Sequence, residues 1–179
     1  MTSKLKVNIL ADGGDNAIMT SDGSGSLTLN NAALKMTPAF FAKLSGNQTI
    51  NNDTTTIMAF NTEVYDTDSA FDTSNYRFTV PSGKDGKYCF TIVGSFSNAN
   101  QGTGARYQLL LYKNGSAEDF TGDFAQAQTA SADPGWNLCS QVSLSAGDYI
   151  DARIYHGGGS TETLQSAWAR FFGYRLIGV

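Results

Sequence analysis

Charge is scarce in this chain. Only 16% of its residues are charged, and 12 Lys and Arg are scattered among 16 Asp and Glu for a formal net charge of -4. Neutralising a phosphate backbone takes clustered cations, so a nucleic-acid role is excluded. No apolar run approaches the roughly 20 residues of a membrane-spanning helix, so membrane insertion is not expected. Nor does the opening read as a secretory leader: Lys4 and Lys6 are followed by an alternating stretch and then Asp12-Gly13-Gly14-Asp15. Histidine occurs once, at His156, before Gly157-Gly158-Gly159, and no nucleophile elbow accompanies it. The two cysteines, Cys89 and Cys139, do not form a Cys-x-x-Cys pair, and with a single histidine a zinc site would lack ligands. The chain therefore offers no catalytic residue and no metal centre of the usual kinds. For the cysteines the simplest reading is two buried free thiols in strands; a disulfide would need oxidising conditions and close Cα atoms.

Aromatics make up 12% of the sequence, with 19 Gly and only 3 Pro. That balance favours strands joined by Gly and Asn turns. From Pro38 onward period-two stretches recur near 39–45, 55–60, 63–66, 77–80, 87–97, 105–113, 120–130, 136–144, 148–156 and 167–177. No stretch carries a helical period. The pattern predicts an all-β, antiparallel, ten-stranded sandwich over 38–179. In 105–113, Tyr107, Leu109 and Leu111 alternate with Gln108, Leu110 and Tyr112, so both faces are apolar, as in a sandwich interior or a subunit contact.

The centre of this region is Phe78 to Phe90. Phe78 and Val80 share one face, and Tyr88, Phe90 and Ile92 share one face of the next strand. Pro81, Gly83 and Gly86 supply a turn, so in isolation the stretch reads as a hairpin. Its Phe78-Thr79-x-Pro81 and Gly86-x-Tyr88-x-Phe90 resemble the central motif of the C1q-like jelly-roll family, related to tumour necrosis factor. Pro38-Ala39-Phe40-Phe41-Ala42, Phe60-Asn61, Phe71-Asp72-Thr73-Ser74 and Phe171-Phe172-Gly173-Tyr174 extend the resemblance over about 38–178. Tyr76 departs from it, standing where that family commonly has Gly. The resemblance implies a jelly roll, a homotrimer about an axis, and both domain termini at one end.

Residues 1–30 read differently. Leu5, Val7 and Ile9 alternate with polar neighbours, and Gly/Ser turns separate Ala17–Thr20 from Leu27 and Leu29. Three short strands cannot bury a core alone, so this segment needs copies of itself or a larger particle. It is not collagen, having no Gly-x-y period and no proline before Pro38. With its Ser3-Lys4-Leu5-Lys6-Val7-Asn8 stretch and its Gly/Ser turns, it resembles the openings of bacteriophage virion proteins. Residues 1–30 are thus expected to attach the chain to other virion proteins, 31–37 to link, and 38–179 to form the knob. The expected setting is the virion surface, after assembly in the host cytoplasm; a soluble ligand-binding module is the alternative.

If both domain termini lie at the base, alternation along the strands puts 98–104, 131–135 and 157–166 at the tip. It puts 81–86, 114–119 and 145–147 at the base. Long loops on a rigid scaffold are where binding concentrates. Asn98, Asn100, Gln101 and Thr161 offer donors and acceptors to a host-surface glycan, and Trp136, Trp168 and His156 flank them with rings. The competing reading has the tryptophans plug the barrel end. Asp66, Asp68 and Asp72, with Asn61 and Glu63, read as solvated carboxylates, with calcium as the alternative occupant.

Overall fold

The computed structural model describes residues 7–30, 36–97, 106–120, 133 and 135–178. Among the described residues the only regular elements are strands. These are β1 (Ile9–Ala11), β2 (Ala17–Ser21), β3 (Leu27–Leu29), β4 (Ala39–Lys43), β5 (Gln48–Ile50), β6 (Thr56–Ile57), β7 (Thr62–Asp66) and β8 (Phe71–Asp72). They continue as β9 (Arg77–Thr79), β10 (Gly86–Ser97), β11 (Tyr107–Lys113), β12 (Ser116–Phe120), β13 (Gly135–Leu144), β14 (Tyr149–His156), β15 (Glu162–Leu164) and β16 (Arg170–Gly178).

Among the described residues, strands β1–β3 pair only among themselves, and the rest make two antiparallel sheets. In the first, β10 lies between β13 and β16, β16 pairs β4, and β4 pairs β7. Towards the end of β10, β15 takes over from β16 and carries β5 beside it. The second sheet runs β12-β11-β14-β9-β8, with β6 also on β14.

Alternation decides what lies between the sheets. Tyr88, Phe90, Ile92 and Phe96 from β10 are buried, as are Leu138, Val142 and Leu144 from β13 and Tyr107, Leu109 and Leu111 from β11. Phe40 sits at the centre, with its ring centroid 4.9 Å from that of Phe71 and 5.0 Å from those of Phe78 and Phe171.

Phe78–Phe90 is not a hairpin. Strand β9 pairs with β14 and β8, whereas β10 pairs with β13, β15 and β16. The turn after Pro81, closed by the Lys84 N–H on the Pro81 carbonyl at 3.1 Å, carries the chain from one sheet to the other. Phe78 therefore meets Tyr88 and Phe90 across the core, at ring separations of 5.6 and 5.8 Å. The strand expected at 120–130 falls largely outside the described residues, and β12 ends at Phe120. The strand expected at 55–60 shortens to Thr56–Ile57, because Phe60 N–H turns back onto the Met58 carbonyl at 2.8 Å; both side chains still enter the core. Within the expected loop 157–166, Glu162–Leu164 form β15, and 116–119 belong to β12.

The outer face of β11 is less open than its composition suggests. The Arg153 guanidinium lies 3.8 Å over the Tyr112 ring, so a residue of the same chain covers that aromatic. A broader outward aromatic surface lies on the first sheet. Phe41 there contacts Tyr65 and Phe172 at 6.1 and 5.9 Å. Tyr76 has φ +57°, the left-handed conformation that glycine adopts without strain, which explains why glycine suits this place.

Candidate functional site

Hydrogen bonds fix the two ends of the sandwich. At one end the Ala146 N–H donates to the Asp85 carboxylate at 2.9 Å, the Gly147 N–H to the Val80 carbonyl at 2.9 Å, and the Arg175 N–H to the Pro38 carbonyl at 3.0 Å. This is the base: it gathers 81–86, 145–148, the start of the sandwich and its last strand. Asn114 joins it through Asp148 at 2.7 Å. At the opposite end, Gly157 N–H donates to the Arg106 carbonyl at 2.8 Å, Gly159 N–H to Asn52 Oδ1 at 2.7 Å, and Gln165 N–H to the Ser95 carbonyl at 2.8 Å. The two loop sets derived from alternation thus sit at opposite ends where they are described. Asn98, Asn100 and Gln101 lie outside the described residues.

The tip holds an open cleft of about 390 Å³, lined by Val93, Ser95, Asp133, Trp136, Asn137 and Trp168 among others. The two tryptophans reach it differently. Trp136 lies opposite Gly94, on the inward side of the sheet. Its ring stacks on Tyr107 at 4.9 Å with 9° between planes and meets Phe96 edge-on at 5.9 Å. It closes the end of the core and offers the cleft only part of its surface. Trp168 is 60% exposed. It rides on a turn in which Ala169 N–H donates to the Gln165 carbonyl at 3.0 Å. The Arg170 guanidinium clamps that turn by donating to the carbonyls of Ser166, Ala167 and Ala169 at 3.1, 2.7 and 2.7 Å. Composition gave no hint of this clamp, since Arg170 is only the first residue of an ordinary strand. Thr161 is exposed in the loop before β15.

His156 does not flank a binding surface. It is fully buried, with Tyr107 stacked at 5.9 Å and Phe96 at 5.3 Å. Its Nδ1 accepts the Gly158 N–H at 3.4 Å, which leaves Nε2 to donate to the Ile50 carbonyl at 3.0 Å. Both ring nitrogens are satisfied by backbone, so the imidazole is a core residue rather than a ligand contact.

The acidic loop residues bind their own chain. Asp66 accepts the Phe71 N–H at 2.7 Å, and Asp72 accepts the Ser74 and Asn75 N–H groups at 2.8 and 3.1 Å. Asp68 pairs with Lys84 at 3.0 Å. Burial pushes its carboxyl up, but the Thr67 hydroxyl and the Lys84 ammonium outweigh that and hold it below the usual range. Among the described residues no three His, Cys, Asp or Glu side chains gather as a metal site would require.

In the amino-terminal sheet, the register places Leu10, Met19 and Leu29 side by side, with Leu27 on the same face. Ile9 lies opposite Thr20 and so belongs to the other face, with Ile18. Val7, Ile9, Leu10, Ile18 and Leu27 are between 40% and 58% exposed. Leu5 lies outside the described residues.

No family model matches the chain. It is 34% identical over 116 residues to uncharacterized protein YqcC of Bacillus subtilis (strain 168), a match covering 63% of this chain and 30% of that protein. Among solved structures, the globular domain of zebrafish complement 1qA protein superposes with a TM-score of 0.57 at 19% identity, covering 79% of this chain and 99% of that one. Eiger TNF from S. frugiperda gives 0.53 at 10% identity, covering 79% and 93%. The sandwich has the jelly-roll fold of these two structures.

Proposed function

We propose that the chain is a structural protein of a bacteriophage particle: a trimeric jelly-roll knob held on the virion surface by residues 1–30. The observation that carries this reading is the sheet β1–β3, which presents apolar side chains on both faces and pairs with neither sheet of the sandwich. Burying apolar surface is worth roughly 25 cal/mol per Å², so a sheet apolar on both sides calls for a covering partner. The sandwich, by contrast, has its own aromatic core. The resemblance of the opening residues to those of virion proteins supports another virion protein as that partner. The aromatic face formed by Tyr65, Phe41 and Phe172 supplies a surface on which three copies can close about an axis.

In this reading the tip points away from the particle, and the Trp168 side of the cleft, with Thr161, meets host-surface glycans; Asn98, Asn100 and Gln101, expected to join it, lie outside the described residues. An exposed indole stacks beneath a sugar ring while neighbouring amides and hydroxyls bond its hydroxyl groups. Weak single-site binding is sufficient there, because three copies repeated over a particle multiply the effective concentration.

The test is deletion of residues 1–30. The truncated chain should fold and remain soluble but no longer enter particles when it replaces the full chain during assembly. Normal incorporation of the truncated chain would overturn the anchor reading, and absence of the full chain from particles would favour a free ligand-binding module.

A further inference from the structure

We propose that Cys89 and Cys139 form a reversible oxidative modification site, a dithiol that peroxides convert to a cross-strand disulfide. Their Sγ atoms are 3.6 Å apart, although the residues are 50 positions apart in the chain. Register explains the proximity. Cys139 on β13 lies directly opposite Thr91, and Cys89 precedes Thr91 by two residues on β10, so the thiols are diagonal neighbours on the outer face of one sheet. A disulfide needs its sulfurs at about 2.05 Å, so oxidation must draw the two side chains together from 3.6 Å. Packing does not call for a thiol at Cys139, whose neighbouring outward positions Asn137, Gln141 and Ser143 on β13 are polar and exposed.

The two sulfurs are unequal, which orders the chemistry. Cys139 is exposed, whereas Cys89 is 8% exposed and abuts β16 through the Tyr174 hydroxyl. Burial, then the hydrogen bond with Cys139, pushes the Cys89 thiol up and keeps it protonated longer. Peroxide therefore reaches Cys139 first. Its thiolate attacks one peroxide oxygen, the O–O bond breaks, and the departing hydroxide takes up a proton to leave as water, giving a sulfenic acid at Cys139. Cys89 then loses its proton and attacks the Cys139 sulfur. The S–S bond forms, the S–O bond breaks, and a second water leaves. Two thiols are oxidised by two electrons and one peroxide is reduced. The product ties β10 to β13, which among the described residues pairs only with β10, on the opposite side of β10 from the Phe41–Tyr65–Phe172 face.

The experiment treats the purified full chain with hydrogen peroxide, denatures it, alkylates the remaining thiols and weighs the intact protein. The expected result is loss of both alkylation sites with a mass decrease of about 2 Da, a cross-linked peptide joining Cys89 to Cys139, monomer mobility on a non-reducing gel, and recovery of both thiols with dithiothreitol. In Cys139→Ser, an exposed substitution that leaves the core intact, Cys89 should stay alkylatable after the same treatment. Two thiols surviving peroxide, a sulfinic acid at Cys139, a disulfide-linked dimer, or equal oxidation of Cys89 in Cys139→Ser would each overturn the proposal.

Discussion

Gly173 offers the sharpest test of how the sandwich is packed. It lies opposite Phe90 across the β10–β16 ladder. A Cβ built there would stand 2.5 Å from Phe90 Cδ1, 2.9 Å from Phe90 Cε1 and 2.9 Å from the Cys89 carbonyl oxygen. The ring has no easy escape, because Phe78, Tyr88 and Phe171 surround it with centroids at 5.8, 5.9 and 6.2 Å. The carbonyl cannot withdraw without disturbing the ladder. Overpacking of a close-packed core costs about 1–3 kcal/mol, and with one rigid and one crowded neighbour Gly173→Ala should fall at the upper end, about 3 kcal/mol. For a chain of this size that lowers the thermal midpoint by roughly 6–12 °C. Gly46→Ala is the control: nothing stands within 4 Å of its Cβ position, so its change should stay within about 0.5 kcal/mol. Thermal and urea unfolding followed by circular dichroism measure both. Combining Gly173→Ala with Phe90→Leu should cost less than the sum of the two single changes, since the smaller side chain vacates the clash. Gly173→Ala behaving like Gly46→Ala, or a strictly additive double variant, would refute the packing described for β16.

Four further outcomes follow. Tyr76→Gly should stabilise the fold by about 1 kcal/mol in urea unfolding, because it relieves a left-handed backbone that a tyrosine adopts at a cost; a loss of stability would show that the ring's packing outweighs the strain. Since the Asp68 carboxyl is held below its ordinary range when folded, its contribution is fully present above the unfolded value near about pH 4 and is lost as pH falls through the lower folded value. Asp68→Asn should therefore weaken the fold at neutral pH and narrow its gap from the parent chain in acid; a gap that stays constant from neutral pH to pH 3 would contradict this. Arg170→Ala and Trp168→Ala should each reduce adsorption to host cells several-fold while leaving the oligomer intact, as measured by cell-binding assays beside sedimentation. Sedimentation at micromolar concentration should itself report a trimer, and a stable monomer would remove the basis for closure through the Phe41 face.

Much of the sandwich was legible because its strands obey a strict period of two. Phe78, Val80, Tyr88, Phe90 and Ile92 alternate, and all are buried. The partners of those strands were not legible. A hairpin and a sheet-to-sheet crossover share the same local signals at Pro81 and Gly83, and only pairing with β14 or β13 separates them. The tip was harder still. A lone histidine beside three glycines reads as an exposed loop residue, yet His156 is satisfied by the Ile50 carbonyl 106 positions away. The same limit hid the nearness of Cys89 to Cys139 and the grip of Arg170 on the Trp168 turn, both of which depend on where the chain folds back. In the amino-terminal sheet, alternation grouped Val7 with Ile9 and Leu27 with Leu29, but only register shows that Ile9 and Leu27 occupy opposite faces.

The central claim, a surface protein of a virus particle, is tested most directly by peptide mass spectrometry of density-purified particles from cells producing this chain. The account predicts its peptides in the particle fraction at a copy number divisible by three, including peptides from residues 1–30. Recovery of the chain only in the free soluble fraction, with none on particles, would contradict it.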